Sequence, residues 1–263
     1  MSVPWPPAAE PRTYVVTGSA GGLGSAVKEL LEAGGSEVIG VDIAAADVRV
    51  DLADPLARAE GLAEVVARVG RDLGGLVVCA GVGTHVEPTS IIARVNLYAA
   101  LDTLEALRPA LKATEDASCV VIGSNSASLV PTDHPLVETF LAGDEEIGAK
   151  AAELEDGALV YPAAKRALTV AVRRMAAGWA GEGTRLNVVA PGPTDTPLLQ
   201  AGLEHPVHGE AIRAFPVPLD RYADRMEVAR IVHLLLGPLT SFVHGSVWYV
   251  DGGTDALIRP DQF

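Results

Sequence analysis

Short, continuously apolar runs alternate along this chain with longer stretches in which apolar residues recur every three or four positions. The runs are Tyr14-Val15-Val16, Val38-Ile39-Gly40-Val41, Leu76-Val77-Val78-Cys79, Val120-Val121-Ile122, Leu186-Asn187-Val188-Val189 and Val247-Trp248-Tyr249-Val250. They are rich in β-branched residues and show no in–out alternation, as expected of strands in a parallel sheet covered on both faces. Between them, Leu23, Val27, Leu30 and Leu31 place an apolar stripe on a first helix. Val95 to Leu111, Ala163 to Trp179 and Met226 to Leu236 follow the same period. This alternation predicts an α/β fold, a Rossmann-type doubly wound parallel sheet of about seven strands in a single domain over residues 13–263. No linker or internal repeat divides it. The rhythm breaks once, over residues 131–159, where Leu136, Val137, Phe140, Leu141, Ile147 and Leu154 lie among many Glu and Ala. That stretch predicts a helical insertion between the fifth strand and the helix carrying Tyr161. It is either a solvated decoration, or an interface element or cap beside the active site.

With 263 residues, 49% of them hydrophobic, the chain has material for one large core. A net charge of −14 argues against nucleic acid and anionic membrane partners, which demand a basic face. No apolar run approaches the ~20 residues that span a bilayer. Residues 1–12, proline-rich and without a basic start or apolar stretch, are expected to be a flexible lead-in rather than a signal peptide. Cys79 and Cys119 each sit in a strand-like run and are expected as buried free thiols of a cytoplasmic protein. His205 and His208 have no nearby Cys or clustered acids to complete a coordination set, so no metal is expected.

Candidate chemistry begins directly after the first strand. Thr17-Gly18-Ser19-Ala20-Gly21-Gly22-Leu23-Gly24 opens a helix, whose free N–H groups and positive dipole end suit a pyrophosphate approached closely by glycine backbone. Asp42 ends the second strand about 20 residues on, the place from which a carboxylate takes ribose hydroxyls and repels a 2′-phosphate. The cofactor expected is therefore NAD. Tyr161-Pro162-Ala163-Ala164-Lys165 puts a phenol and an ammonium on one helix face. A neighbouring cation lowers a phenol's pKa towards working pH, so the pair reads as an activated acid/base.

Together, Thr17, Gly18, Gly22, Gly24 and the Tyr161–Lys165 spacing resemble the short-chain dehydrogenase/reductase family. Gly21 lets the glycine pattern of the family's extended branch, epimerases and dehydratases, fit equally well, but the chain has no room for that branch's substrate domain. The resemblance implies a tetrad of Asn96, Ser124, Tyr161 and Lys165, with Ser126 and Ser128 as rivals of Ser124. It implies cofactor contacts from Gly18, Ser19, Gly22, Leu23, Gly24, Asp42, Asp51, Leu52, Ala80, Gly81, Tyr161, Lys165, Pro191, Gly192, Thr194 and Thr196. Cys79 stands where the family has Asn, and Gly123 where it has the first of two serines; the connection from Ser124 to Tyr161 is longer than usual. Within the family, the insertion, the Leu76–Gly81 segment and the tail Asp251 to Ala256 are most similar to bacterial 3α-hydroxysteroid dehydrogenase/carbonyl reductases. This implies an NAD(H)-dependent oxidoreductase interconverting secondary alcohols and ketones, with a bulky cyclic or steroid-like small-molecule substrate. It also implies a homo-oligomer, a dimer or a tetramer. The alternatives are a non-catalytic NAD-binding regulatory protein, against which the four tetrad residues argue, and an acyl-thioester ketoreductase, against which the acidic surface argues.

Overall fold

The computed structural model describes residues 11–262, so the expected lead-in lies, up to residue 10, outside the described residues. Its last residue is no free tail. Arg12 donates to the Glu115 and Asp116 carbonyls at 3.0 and 3.4 Å.

In chain order, the elements of the first half are β1 (Thr13–Thr17), α1 (Gly22–Ala33), β2 (Glu37–Asp42), β3 (Val48–Arg49), α2 (Pro55–Val69) and β4 (Gly75–Val78). Next comes α3 (Ser90–Ala93), which runs through a π-helical turn (Arg94–Tyr98) into α4 (Ala99–Lys112). Then follow β5 (Ser118–Ile122), a 3₁₀ turn (Asn125–Leu129), α5 (Pro135–Leu141), α6 (Glu145–Ala152), α7 (Gly157–Ala180) and β6 (Arg185–Pro191). The chain closes with β7 (Thr194–Asp195), α8 (Pro197–Glu204), α9 (Gly209–Arg213), β8 (Ala223–Asp224), α10 (Arg225–Leu236), β9 (Val247–Val250) and α11 (Thr254–Ile258).

Seven strands form one parallel sheet in the order β3-β2-β1-β4-β5-β6-β9. Side chains of β1 divide between its faces: Val15 packs with residues of α2, α4 and α7, whereas Tyr14 and Val16 pack with those of α1 and α10. This is why the strand runs are apolar at every position. The order reverses between β1 and β4, and Thr17 stands in register with both Val41 and Val78. A crevice therefore opens beyond the carboxyl ends of these strands, where doubly wound sheets bind ligands. β7 pairs with β8, so residues 196–222 leave and return at one point as a flap over that edge.

Helix α2 escapes the periodicity because its buried face carries Arg58, only 2% exposed. The guanidinium meets Asp102 of α4 at 2.7 Å and also Glu145 of α6, and it donates to the Leu52 carbonyl at 3.0 Å. Arg94 joins the group through Glu145 at 2.9 Å and Glu146 at 2.6 Å. These charges pin the 131–159 segment, whose α5 buries Leu136, Val137 and Phe140 in the core. Among the described residues no helix is long and apolar enough to cross a membrane.

Candidate active site

One cavity of about 880 Å³ follows the carboxyl ends of the strands, from Asp42 and Asp51 to Ile212 and Phe215 of the flap. At its near end, Gly18 takes φ +68° and donates to the Val41 carbonyl at 2.8 Å. A Cβ on Gly18 would lie 2.8 Å from the Ala80 backbone, so only glycine lets the two strand ends approach. Thr17 Oγ1 holds the same junction, accepting from Cys79 N at 3.0 Å and Ala80 N at 3.1 Å. Helix α1 then starts at Gly21 with no side-chain cap and no acidic residue in its first turn. The amides of Gly22, Leu23 and Gly24 have no partner among the described residues and lie on the cavity wall. An uncapped helix end beside a glycine backbone is a built anion receptor, and it fits a dinucleotide diphosphate.

Asp42 is held rigidly: its two oxygens accept from Ala20 N and Ala44 N, each at 3.0 Å. Asp51 accepts from Ala53 N at 2.9 Å and lines the cavity with Leu52, while the cap of α2 is Asp54. Ser19 departs from expectation. It is buried with its hydroxyl against Gly40, 2.5 Å from where a Cβ there would be, and it does not line the cavity. Its neighbours Ala20 and Gly21 do.

At the centre, Tyr161 and Lys165 lie one turn apart on α7, and Ser124 follows the end of β5. All three line the cavity with Ala80, Gly81, Pro191, Gly192, Thr194 and Thr196. Ser124 Oγ lies 2.8 Å from Ser126 Oγ, whereas Ser128 donates to Asp255 at 2.6 Å, outside the cavity lining. Thr194 and Thr196 spend their hydroxyl protons on the carbonyls of Gly192 and Thr194, at 3.0 and 3.1 Å.

Two expectations change. The Lys165 ammonium donates to the Ile122 carbonyl at 2.9 Å, and burial pushes its pKa down to about 8. Burial raises the Tyr161 pKa, opposed by the hydrogen bond of the Ser124 hydroxyl, rather than the neighbouring ammonium lowering it. Asn96, in the π-helical turn, is wholly buried; its amide accepts from Val82 N and donates to Val82 O, both at 2.9 Å. Its side chain therefore fixes the loop after β4.

The strained lysine carries a stability signature. Lowering its pKa from 10.5 to about 8 costs the folded state roughly 3 kcal/mol while both states are protonated. That penalty is full below pH 8 and disappears as pH rises to the unfolded value, because the folded state releases its proton first. Lys165→Met is accordingly expected to stabilise the cofactor-free protein by about 1–3 kcal/mol at pH 7 and to lose turnover. Denaturant midpoints should show the gain shrinking above pH 8; a gain unchanged with pH would assign it to packing instead.

Residues that sequence reasoning passed over include Ala44, Ala53, Val82 and His85 on the cavity wall. The signal for His85 is its place in the loop directly after a strand that ends at the site. Among the described residues no three His, Cys, Asp or Glu side chains are placed to hold a metal ion.

A family model described as Enoyl-(Acyl carrier protein) reductase matches residues 147–255. The chain is 41% identical over 256 residues to the 3-alpha-hydroxysteroid dehydrogenase/carbonyl reductase of Comamonas testosteroni, covering 95% of this chain and 98% of that one. It is 30% identical to the cis-4-hydroxycyclohexanecarboxylate dehydrogenase of Sinomonas cyclohexanicum, covering 94% and 97%. The crystal structure of the 3-alpha-hydroxysteroid dehydrogenase from Pseudomonas sp. B-0831 complexed with NADH superposes with a TM-score of 0.92 at 44% identity, covering 95% of this chain and all of that one.

Proposed function

The chain belongs to the short-chain dehydrogenase/reductase family, and on that premise we propose that it is an NAD(H)-dependent oxidoreductase interconverting a secondary alcohol and a ketone on a bulky cyclic substrate. The observation that carries this reading is the convergence of Tyr161, Lys165 and Ser124 on one cavity with an uncapped glycine-turn helix and a fixed Asp42. Residues 13–263 are read as a single cofactor-binding domain with the 131–159 segment inserted in it.

The bound nicotinamide supplies or accepts the hydride. The amides of Gly22, Leu23 and Gly24 would hold its diphosphate. Asp42 would take the adenosine ribose hydroxyls, Asp51 and Leu52 would bound the adenine, and Thr194 and Thr196 would orient the carboxamide. In oxidation, Tyr161 Oη takes the proton of the alcohol, and Ser124 Oγ donates to the same oxygen as it becomes a carbonyl. Lys165 would present its ammonium to the nicotinamide ribose, and Asn96 keeps the Val82 loop in place. The apolar wall of the flap excludes water and seats the rings of the substrate.

The matched family model names a reductase acting on a carrier-bound acyl group. An acidic carrier needs a basic docking patch, and a chain of net charge −14 disfavours one. The cysteines Cys79 and Cys119 are unpaired, which suits a reducing compartment such as the cytoplasm. We also read the protein as a homo-oligomer, a dimer before a tetramer.

The test is absorbance at the nicotinamide band with a panel of cyclic alcohols and ketones, steroids included, and NAD(H) or NADP(H), on protein sized by light scattering. NAD(H) is expected to exceed NADP(H) in kcat/KM by about 100-fold or more, and Asp42→Ala to shrink that ratio. A preference for NADPH would overturn the assignment of Asp42, and NADH binding without turnover on any substrate would favour a regulatory role.

A further inference from the structure

Two histidines from distant segments, His85 and His208, line the flap end of the cavity, and His205 stands beside the second. His85 lies in the loop after β4, while His205 and His208 flank the turn between α8 and α9. The rings of His205 and His208 stack with centroids 4.5 Å apart, and His208 N donates to His205 Nδ1 at 3.2 Å. His208 Nε2 stands 3.7 Å from Asp156 Oδ1, a carboxylate that already caps α7 through Ala158 N at 2.7 Å. His85 folds back over Gly83, where a Cβ would lie 2.8 Å from its ring. Its Nδ1 is buried with no hydrogen-bond partner among the described residues. A neutral imidazole carries one N–H and one acceptor nitrogen, so the ring keeps hydrogen-bonding capacity for a ligand in the cavity it lines.

Apart from Tyr161 and Lys165, His85 and His208 are the ionisable groups lining this half of the cavity, among Ile91, Val95, Leu129, Leu198, Ile212 and Phe215. A wall this apolar has no use for imidazoles unless the ligand carries a polar end, since burying an unpaired polar group costs free energy. We propose that His85 and His208, with His205 stacked behind, form an anion pocket, so that the substrate carries a carboxylate remote from its carbinol carbon. The inference rests on the reading of the Tyr161 end as the reaction centre.

The chain's net charge of −14 repels anions at long range, so an anion here has to be held by local donors. In the empty pocket, burial and the neighbouring His205 and His208 hold the His85 pKa below the ordinary imidazole value. A bound carboxylate would favour protonation of His85 and accept hydrogen bonds from both imidazoles. Asp156 is the competing anion at His208.

The test compares a cyclic keto acid with its methyl ester in the wild type, His85→Gln and His208→Gln. Calorimetric titration of the cofactor-free protein with cyclohexanecarboxylate provides a second readout. The wild type is expected to prefer the acid by roughly tenfold or more in kcat/KM, through KM. Each substitution should raise KM for the acid towards that of the ester, change KM for the ester far less, and weaken carboxylate binding. Equal use of acid and ester by the wild type, or equal losses on both in the variants, would overturn the proposal. If neither ketone is reduced yet the carboxylate binds in a histidine-dependent way, the anion pocket stands and the oxidoreductase reading fails. If neutral ketones turn over and the acid is neither preferred nor bound, the pocket fails alone.

Discussion

Replacing Tyr161 by Phe is expected to lower kcat by about 10³-fold or more in both directions while NADH affinity stays within about twofold. The substitution deletes one hydroxyl and keeps the ring, so the half-buried side chain still fills its place on α7. What is lost is the atom that takes or gives the proton of the reacting oxygen. Ser124 cannot replace it, because an aliphatic hydroxyl is far too weak an acid to lose its proton and serve as the base at working pH. The pH profile gives an independent check. Burial holds the Tyr161 phenol protonated above the usual range, and oxidation needs it deprotonated. The wild-type oxidation rate should therefore climb from neutral into alkaline pH, and the climb should vanish in the variant. NADH affinity can be read from the fluorescence of the bound nucleotide. Residual turnover above about a tenth of wild type would remove Tyr161 from the proton transfer.

Gly24→Ala is expected to weaken NADH binding by about 100-fold and to destabilise the protein by about 1–3 kcal/mol. In an ordinary helix this change stabilises by up to ~1 kcal/mol, because alanine orders at a lower entropic cost. Here the added Cβ would collide with the Gly18 carbonyl oxygen. The obstacle is main chain and cannot swing aside, so the turn must open or α1 must slide. Either movement misdirects the amides of Gly22 and Leu23. Gly178→Ala supplies the contrast. That residue is exposed on α7, and the nearest atom to its Cβ is the end of Arg108 at 3.6 Å. It should gain stability and leave NADH binding alone. Thermal melts with and without NADH separate the two effects, and a Gly24→Ala protein with unchanged NADH affinity would show that the turn does not carry the cofactor.

The extent to which this site could be read from the chain depends on how local each feature is. The run Tyr14-Val15-Val16 predicts a strand covered on both faces because three neighbours suffice to show it, and the core divides on either side of β1. The glycine turn is equally local, for close packing on Gly18 demands the absence of a Cβ at Gly24 itself. Tyr161 and Lys165 share a face by helical geometry alone. Strand β3, two residues long, and the β7–β8 pair are too short for any period to register. Helix α2 was hidden because Arg58, apparently a break in its apolar face, is neutralised by Asp102 and Glu145, residues distant in the chain.

The chain by itself determined the parallel sheet, the helices on both faces and the positions of the glycine turn, Asp42, Ser124 and the tyrosine–lysine pair, since each is written in a few consecutive residues. Only the tertiary structure decided where the side chains of those positions are directed. It sends Ser19 towards Gly40, which has no Cβ to exclude it, and closes the Asn96 amide onto Val82 across a π-helical turn. It also rests the Lys165 ammonium on the Ile122 carbonyl and places His85 and His208 on one wall of the cavity. The physical reason is that periodicity and turn chemistry act over neighbouring residues, whereas a side chain's partner is chosen by packing and electrostatics between segments that meet only in the folded chain.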